Sequence, residues 1–186
     1  MAQLDLTNHF LIAMPTLMDP NFHQTVTYIC AHNEEGAMGI VINRRMAIGL
    51  GEVLSQMELA PATNAIRDCP VFEGGPVQPD RGFILHRPTH DWGSTIEVTG
   101  EIGVSTSRDI LEAIAHGQGP QDMLIALGYA GWGAGQLERE IAENAWLSGP
   151  ADPDIMFRTA PEARWRAAAR VLGVDLASIS HQVGHA

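Results

Sequence analysis

The sequence has no lysine. Its 186 residues include 11 basic residues, all of them arginine, against 22 acidic residues, which gives a formal net charge of −11. A chain this acidic repels the phosphate backbone of nucleic acid, and a Walker-type phosphate clamp is excluded because it needs a lysine. The nearest cluster of arginines is interrupted by Glu162 and is typical of a solvated helix face; it consists of Arg158, Arg164, Arg166 and Arg170. We therefore expect no direct binding to nucleic acid.

Cysteine and long apolar runs are also scarce. Cys30 and Cys69 are the only two cysteines, which are too few for a disulfide framework and do not form a CxxC pair. No stretch approaches the roughly 18 apolar residues of a membrane span, and the N-terminal residues lack the basic start and apolar core of a signal peptide. We expect a reduced, cytoplasmic protein with no membrane partner, in which Cys69 is a more accessible thiol than Cys30.

The histidines form no recognisable metal motif. His86 and His90 are four residues apart, but the proline between them prevents a shared helix face. His181 and His185 have the same spacing, with a glycine between them. Because ligand spacing without supporting structure is weak support for a metal site, we expect no metal and no cofactor.

Motifs for a catalytic nucleophile are incomplete. The closest approach to a nucleophile elbow is GVSTS at residues 103–107, which lacks the final glycine that the tight strand-to-helix turn requires. The serines of this segment are better interpreted as residues that lead into a helix. A hydrolase that uses His86, Glu73 or Glu140 stays open as an alternative, although the sequence does not assemble these residues into one site.

What the chain does contain is the composition of a folded protein, with 45% hydrophobic and 18% charged residues, which predicts a single domain over residues 1–186. Strand patterns come in adjacent pairs: residues 25–30 and 37–42 flank a turn, and so do residues 95–98 and 102–104. This order does not fit a regular βαβ repeat. We expect an α+β fold, an α/β sandwich in which helices pack on a mixed, largely antiparallel sheet that is able to curl toward a barrel.

Helical patterns dominate the second half of the chain. Ser107 is a predicted N-cap and Gly117 a predicted stop of one helix. Thr159 and Glu162 form a capping-box pattern that predicts the start of another. Between these two helices, residues 155–157 predict a short strand.

The most unusual stretch is GYAGWGAG at residues 128–135, which follows an apolar run at residues 123–127 that predicts a central strand. Its glycines do not match the GxGxxG pattern of dinucleotide-binding loops. We expect a loop with one of two roles. Either the glycines let the chain pass tightly while Trp132 packs inside, or the loop is the floor of a cleft lined by Tyr129 and Trp132 and bordered by the glycine turn at residues 74–76.

Short blocks along nearly the whole chain make it resemble the YqgE/AlgH family of small bacterial proteins. In chain order, these blocks are MP (14–15), MDPNF (18–22), HNEEGAMG (32–39), VINR (41–44), GGPV (74–77), RGF (81–83), LH (85–86), TS (106–107), GYAGW (128–132), GQLE (135–138), Glu140, Trp146, Trp165 and GHA (184–186). The resemblance implies a compact α/β sandwich on a mixed sheet, without an established biochemical activity. Some members carry a regulator label through genetic effects on alginate and virulence output in pseudomonads, which implies an indirect effect.

The resemblance also implies a shallow apolar cleft, which we map onto the glycine-rich blocks. The candidate cleft residues are Gly74, Gly75, Pro76, His86, Tyr129, Gly131, Trp132 and Gln136. We expect Trp132 to be partly exposed there, as an aromatic contact for a partner.

The leading interpretation is a non-enzymatic module that binds an unidentified protein or small molecule at this cleft. The alternative is a hydrolase-like enzyme, and a direct transcriptional regulator is the weakest interpretation because the charge opposes it. The sequence leaves the oligomeric state open and favours a monomer.

Overall fold

The computed structural model describes residues 4–183, and the GHA block at residues 184–186 lies outside them. The described strands are β1 (His9–Ala13), β2 (Val26–Asn33), β3 (Gly36–Val41), β4 (Arg45–Gly49), β5 (Pro70–Glu73), β6 (Val77–Arg87), β7 (Thr95–Glu97), β8 (Gly103–Ser105), β9 (Asp122–Gly133) and β10 (Trp146–Pro150). The described α-helices are α1 (Leu50–Gln56), α2 (Asn64–Arg67), α3 (Arg108–Ala115), α4 (Gln136–Ala142), α5 (Pro153–Phe157), α6 (Arg164–Val171) and α7 (Leu176–Val183), and a short 3-10 helix at Pro161–Ala163 precedes α6. None of these helices is long and apolar enough to cross a membrane.

The strands form one curled sheet with β9 at its centre. Its main path runs β10-β1-β2-β3-β9-β6-β8-β7, while β5 also pairs with β9 and carries β4 beside it. Among the described pairs only β5 and β9 run parallel, and the others are antiparallel. The predicted α+β fold, with a mixed and largely antiparallel sheet covered by helices, is confirmed.

Apolar side chains pack on both faces of this sheet. One face carries the largest buried cluster, to which helices α5, α6 and α7 contribute. On the opposite face, α1 and α3 cover the half around β5 and β6, and α4 covers the half around β1 and β10. Alternation along a strand assigns its neighbouring residues to different faces, as Ile84 and Leu85 of β6 show.

The local signals for the hairpins and for α3 are confirmed. Strands β2 and β3 pair around their predicted turn, and β7 pairs with β8. Helix α3 has Ser107 at its N-cap, and Gly117 follows its end with a left-handed φ of 78°. The Ser107 hydroxyl donates to Asp109 instead of accepting from a helix amide, so the position is right and the capping contact differs.

The loop predicted for residues 128–135 is wrong over most of its length. Strand β9 continues to Gly133, because residues 130–133 pair with residues 36–39 of β3. Hydrogen bonding to a neighbouring strand therefore outweighs the local preference of glycine for turns. Gly128 differs from the other glycines of the strand, since its φ of 79° marks an irregularity in the middle of β9.

The short strand predicted at residues 155–157 is also wrong, because these residues are the end of helix α5. Asp152 caps this helix by accepting a hydrogen bond from the amide of Asp154, and Pro153 is compatible with its first turn. The Asp-Pro pair is a helix-start signal that outweighs the apolar content of the residues that follow.

The capping box predicted before α6 does not form. The helix begins at Arg164, and the hydroxyl of Thr159 donates to the carbonyl of Asp154. Arg164 is only 5% exposed: its guanidinium lies over the ring of Phe72, 5.0 Å away, and donates to the carbonyls of Thr159 and Ile42. The arginines therefore do not share the solvated face that the sequence predicts.

Candidate functional site

A groove of about 660 Å³ opens where β3, β6, β7 and β9 come together. Its described lining is mainly apolar, with a few hydroxyl and amide groups. The lining residues are Ala37, Met38, Val77, Gln78, Arg81, Phe83, Ser94, Ile96, Val104, Thr106, Tyr129, Gly131 and Trp132. A site of this size, with a few polar groups on an apolar surface, is typical of proteins that bind small molecules.

The irregularity at Gly128 creates one wall of the groove. Ala126, which precedes it, packs in the largest buried cluster. In a regular strand every second side chain lies on the same face, so residue 128 would face that cluster as well. The left-handed φ of Gly128 shifts this alternation by one residue, so that Tyr129 packs against the same cluster. The opposing strand β6 is irregular as well, between Val77 and Gly82. The two irregularities together open the sheet at this point.

The floor of the groove is continuous with the largest buried cluster. Phe83 and Val104 belong to that cluster and are 4% and 1% exposed, while Met38 and Tyr129 pack against it and stay partly exposed. The rings of Phe83 and Tyr129 meet edge to face with their centroids 5.4 Å apart. The groove is thus a place where the apolar interior reaches the surface, which marks an interaction site more often than a single exposed apolar residue does.

Arg81 is the one charged side chain among the described residues that line the groove. Its Nη1 donates to the Gln78 side chain and its Nη2 to the Thr106 hydroxyl, both at 3.3 Å. Its guanidinium also lies 5.6 Å from the centroid of the Phe83 ring. Among the described residues no carboxylate lies within ion-pairing distance of Arg81, so its charge is not neutralised locally.

The other face of β9 at this point is closed by an aromatic cluster. The Trp132 ring lies 5.9 Å from Phe22 and 6.2 Å from Trp146, measured between centroids. Both indole N–H groups donate to the same carboxylate oxygen of Glu140, at 3.1 and 3.0 Å, and the Gln136 amide donates to the other oxygen at 2.9 Å. Trp132 is 5% exposed, so the expectation that it is partly exposed is wrong. Glu140 and Gln136 hold the aromatic cluster together.

His86 lies in a separate network, in which His86 and Ser105 are buried and Thr95 is partly buried. Because the Pro88 carbonyl can only accept, Nδ1 of His86 carries the proton and donates to it at 3.1 Å. Nε2 therefore accepts from the Ser105 hydroxyl at 2.7 Å, and the Ser105 oxygen accepts from Thr95, also at 2.7 Å. Burial lowers the pKa of His86, which keeps the ring neutral. Both His86 and Ser105 are 0% exposed, so a substrate has no access to this pair.

The predicted cleft residues divide between these places. Tyr129, Gly131 and Trp132 border the groove, although the ring of Trp132 packs in the aromatic cluster on the other face of β9. The glycine turn packs directly on the backbone of β9: a Cβ on Gly74 would lie 2.3 Å from the carbonyl oxygen of Gly128, and one on Gly75 would lie 2.1 Å from the carbonyl carbon of Tyr129. Pro76 follows this turn and is exposed, outside the described lining of the groove.

The groove also contains residues that the sequence did not single out as functional. Arg81, Phe83 and Met38 occur in blocks that carry the family resemblance, and this was the available signal for them. Ser94 and Thr106 come from other parts of the chain and meet Arg81 only because β7 pairs with β8 beside β6. No local pattern brings these groups together.

Titratable groups elsewhere form small, separate pairs. The His32 ring accepts from the Leu6 amide through Nδ1 at 3.0 Å and therefore donates through Nε2 to Glu138 at 2.5 Å. Hydrogen bonding from its own amide, together with His32, lowers the pKa of Glu138. In the described part of the chain, no group of three His, Cys, Asp or Glu side chains is placed to hold a metal ion.

The curled sheet, its helices and this groove define the class as a small α+β protein with an apolar groove at a sheet irregularity. A sequence profile described as AlgH-like matches residues 10–177, and the chain belongs to this family. A UPF0301 protein of Thioalkalivibrio sulfidiphilus is 60% identical over 185 residues, which cover 100% of this chain and 99% of that protein.

Solved structures confirm the fold. The solution structure of the AlgH protein from Pseudomonas aeruginosa aligns with a TM-score of 0.81 at 53% identity and covers 100% of both chains. A crystal structure of the protein DIP2367 from Corynebacterium diphtheriae aligns with a TM-score of 0.73 at 17% identity, over 95% of this chain and 92% of that one. The second comparison supports the fold alone.

Proposed function

We propose that this protein is a non-enzymatic binding module whose ligand occupies the groove between β3, β6, β7 and β9. The observation that carries the proposal is the continuity of the groove with the buried interior, where Phe83 and Val104 are core residues that also line an open surface. A ligand placed on this floor removes the exposed side chain of Ile96 and the partly exposed surfaces of Met38 and Tyr129 from water, which is the main favourable term in binding. The few polar groups at the rim would orient it.

The lining of the groove supports binding rather than catalysis. None of its described residues is His, Asp or Glu, the side chains that most often act as general base, so the lining offers no such partner to activate the hydroxyls of Ser94 and Thr106 as nucleophiles. The three residues considered for a hydrolase do not meet: His86 bonds Ser105 in a buried network, Glu140 bonds the two indoles, and Glu73 ends β5 with an exposed side chain. We expect no turnover of ester substrates.

The same proposal covers the partners and the compartment of the protein. We propose a single-domain monomer that acts in the bacterial cytoplasm without contacting nucleic acid or membrane and influences regulation only indirectly. The net charge of −11 and the burial of Arg164 within the arginine cluster support the exclusion of nucleic acid. Two free cysteines, Cys30 and Cys69, are compatible with a reducing compartment.

A neutral aromatic probe tests the groove. Calorimetric titration with 2-naphthylacetamide is expected to show one binding site on the protein. Replacing Gly131 by Leu fills the groove, because a side chain at this position would first meet the Tyr129 ring at 3.5 Å, and the variant should lose the binding. The matched control is Gly133→Leu: Gly133 is in the same strand, has no left-handed φ and lies outside the described lining.

The control variant is expected to bind the probe as the unmodified protein does. If the unmodified protein does not bind the probe, or if both leucine variants bind it equally well, the groove is not the binding site and the proposal is wrong.

A further inference from the structure

The charge and the hydroxyl groups at one end of the groove indicate the chemical class of its ligand. Arg81 lies in the part of β6 that is not paired with β9, between Val77 and Gly82, so its side chain reaches the rim of the groove. Its described hydrogen bonds go to neutral acceptors at the long distance of 3.3 Å. A guanidinium forms shorter and stronger bonds with an anion than with neutral groups, so this contact is still available to a ligand.

The hydroxyl groups beside Arg81 have a defined order of donation. The Thr106 oxygen accepts from Arg81, and the Thr106 hydroxyl donates to the Ser94 oxygen at 3.2 Å. This leaves the hydroxyl proton of Ser94 for a ligand, because the Ser94 oxygen is already the acceptor. Ser94, Thr106 and Arg81 all line the groove. The chain therefore presents two kinds of donor, a guanidinium and a hydroxyl, at the end of an apolar floor.

The charge of the groove lining and the net charge of the chain together favour a ligand with one negative charge over a ligand with two. Arg81 supplies one positive charge to the described lining, and the chain as a whole carries −11. A dianion such as a phosphate would keep one charge uncompensated in this negative field, whereas a carboxylate is neutralised by a single guanidinium. The floor of the groove, with Phe83, Tyr129 and Met38, offers apolar and aromatic contacts to the rest of the ligand.

We propose that the groove binds a small apolar or aromatic molecule with one carboxylate, which Arg81 and Ser94 hold while the apolar body lies on Phe83, Tyr129 and Met38. This inference rests on the proposed function and specifies the ligand of the same groove. A volume of about 660 Å³ fits a small molecule.

The test compares two probes that differ in charge and hardly in shape. The carboxylate 2-naphthylacetate is expected to bind about tenfold more tightly than 2-naphthylacetamide at low salt, since hydrogen bonds to a charged group are the stronger ones. Replacing Arg81 by Gln should remove this difference while the amide still binds. The advantage of the carboxylate should shrink in 1 M salt, because the site is open to solvent.

The matched control is Arg108→Gln. Arg108 lies close by at the start of α3, but it is bonded to Glu112 at 2.8 Å and is not part of the described lining. This variant changes the net charge by the same amount as Arg81→Gln, and it should keep the full preference for the carboxylate. Loss of the preference in both variants would assign it to the general field of the protein and overturn the inference.

The other outcomes are equally informative. Equal binding of both probes to the unmodified protein would contradict the carboxylate proposal and leave the proposed function intact, whereas failure of both probes would contradict the proposed function itself. An apolar tetrapeptide that binds more tightly than 2-naphthylacetate, and does so equally well with an amidated end, would indicate addition of a strand along β7 and would also overturn the inference.

Discussion

After Gly128, one glycine-rich segment supplies both faces of strand β9, and the two faces have different surroundings: one is closed and the other is open. On one face, Trp132 packs with Phe22 and Trp146 and shares the Glu140 carboxylate with the second indole. On the other face, Tyr129 and Gly131 border a groove that stays open. In a strand, a residue's role follows from the face that its side chain occupies. The largest aromatic side chain of this segment, Trp132, belongs to the closed face.

Truncation of Trp132 should have the largest effect on stability. Replacing Trp132 by Ala removes a buried ring and leaves a cavity, so we expect the free energy of unfolding to fall by about 3–5 kcal/mol. The matched change on the open face, Tyr129→Ala, should cost roughly 1–2 kcal/mol, because Tyr129 is only partly buried. Urea unfolding followed by circular dichroism measures both. Equal losses in the two variants would contradict the difference between the faces.

A second comparison uses Gly75, in the turn that packs on the backbone of β9, and Gly131, within β9 itself. Gly75→Ala should cost about 3 kcal/mol, because Gly75 has a φ of 156° and the added Cβ would collide with the Tyr129 backbone. Gly131→Ala should change stability by less than about 1 kcal/mol, since its Cβ would lie at ordinary contact distance from the Tyr129 ring. Thermal melting of both variants checks this. A large loss from Gly131→Ala would mean that the groove is closed at this point.

The carboxylate on the closed face should have an intermediate effect. Glu140→Ala leaves the indole N–H groups of Trp132 and Trp146 without an acceptor, and we expect a loss of about 2 kcal/mol. Glu140→Gln keeps an oxygen in place and should lose about half as much. The free energy of unfolding from urea titration measures both variants. If Glu140→Ala is as stable as the unmodified protein, the aromatic cluster does not depend on this carboxylate.

The rates at which the two cysteines react with a thiol reagent measure how readily the core opens, and this is the smallest of the expected effects. Burial raises the pKa of Cys30 to about 12 and also raises the pKa of Cys69, which is less buried. A thiol reagent at neutral pH should therefore label Cys69 first and Cys30 only on unfolding. Because Cys30 reacts only on unfolding, the Trp132→Ala variant, which loses more stability, should speed its labelling more than Tyr129→Ala does, although Tyr129 packs on the cluster that contains Cys30. Mass spectrometry measures both rates. Faster labelling of Cys30 than of Cys69 in the unmodified protein would contradict this.

The parts of the fold that depend on local signals could be predicted from the sequence. The β2–β3 and β7–β8 hairpins and the limits of α3 follow from strand patterns, turns and caps that lie within a few residues of each other. The end of β9 could not be predicted in this way, because its extension to Gly133 depends on pairing with β3, about 90 residues earlier in the chain.

The site was predictable to a smaller extent than the fold. Three of the predicted cleft residues, Tyr129, Gly131 and Trp132, border the groove. The charged group Arg81 and the hydroxyl of Ser94 were not predicted, because the register of four strands brings them together. The left-handed φ of Gly128 decides which face of the sheet the Tyr129 side chain occupies. The sequence does not show whether a given glycine adopts such a φ.

A titration followed by two-dimensional ¹H–¹⁵N NMR observes both faces of β9 in one experiment and shows whether the ligand binds at the open face alone. With 2-naphthylacetate added to the unmodified protein, we expect the amide signals of Met38 and Gly131 to shift in proportion to binding. The indole N–H signals of Trp132 and Trp146, which are bonded to Glu140 on the closed face, should stay in place. Shifts of these indole signals without shifts of the groove amides would contradict the account.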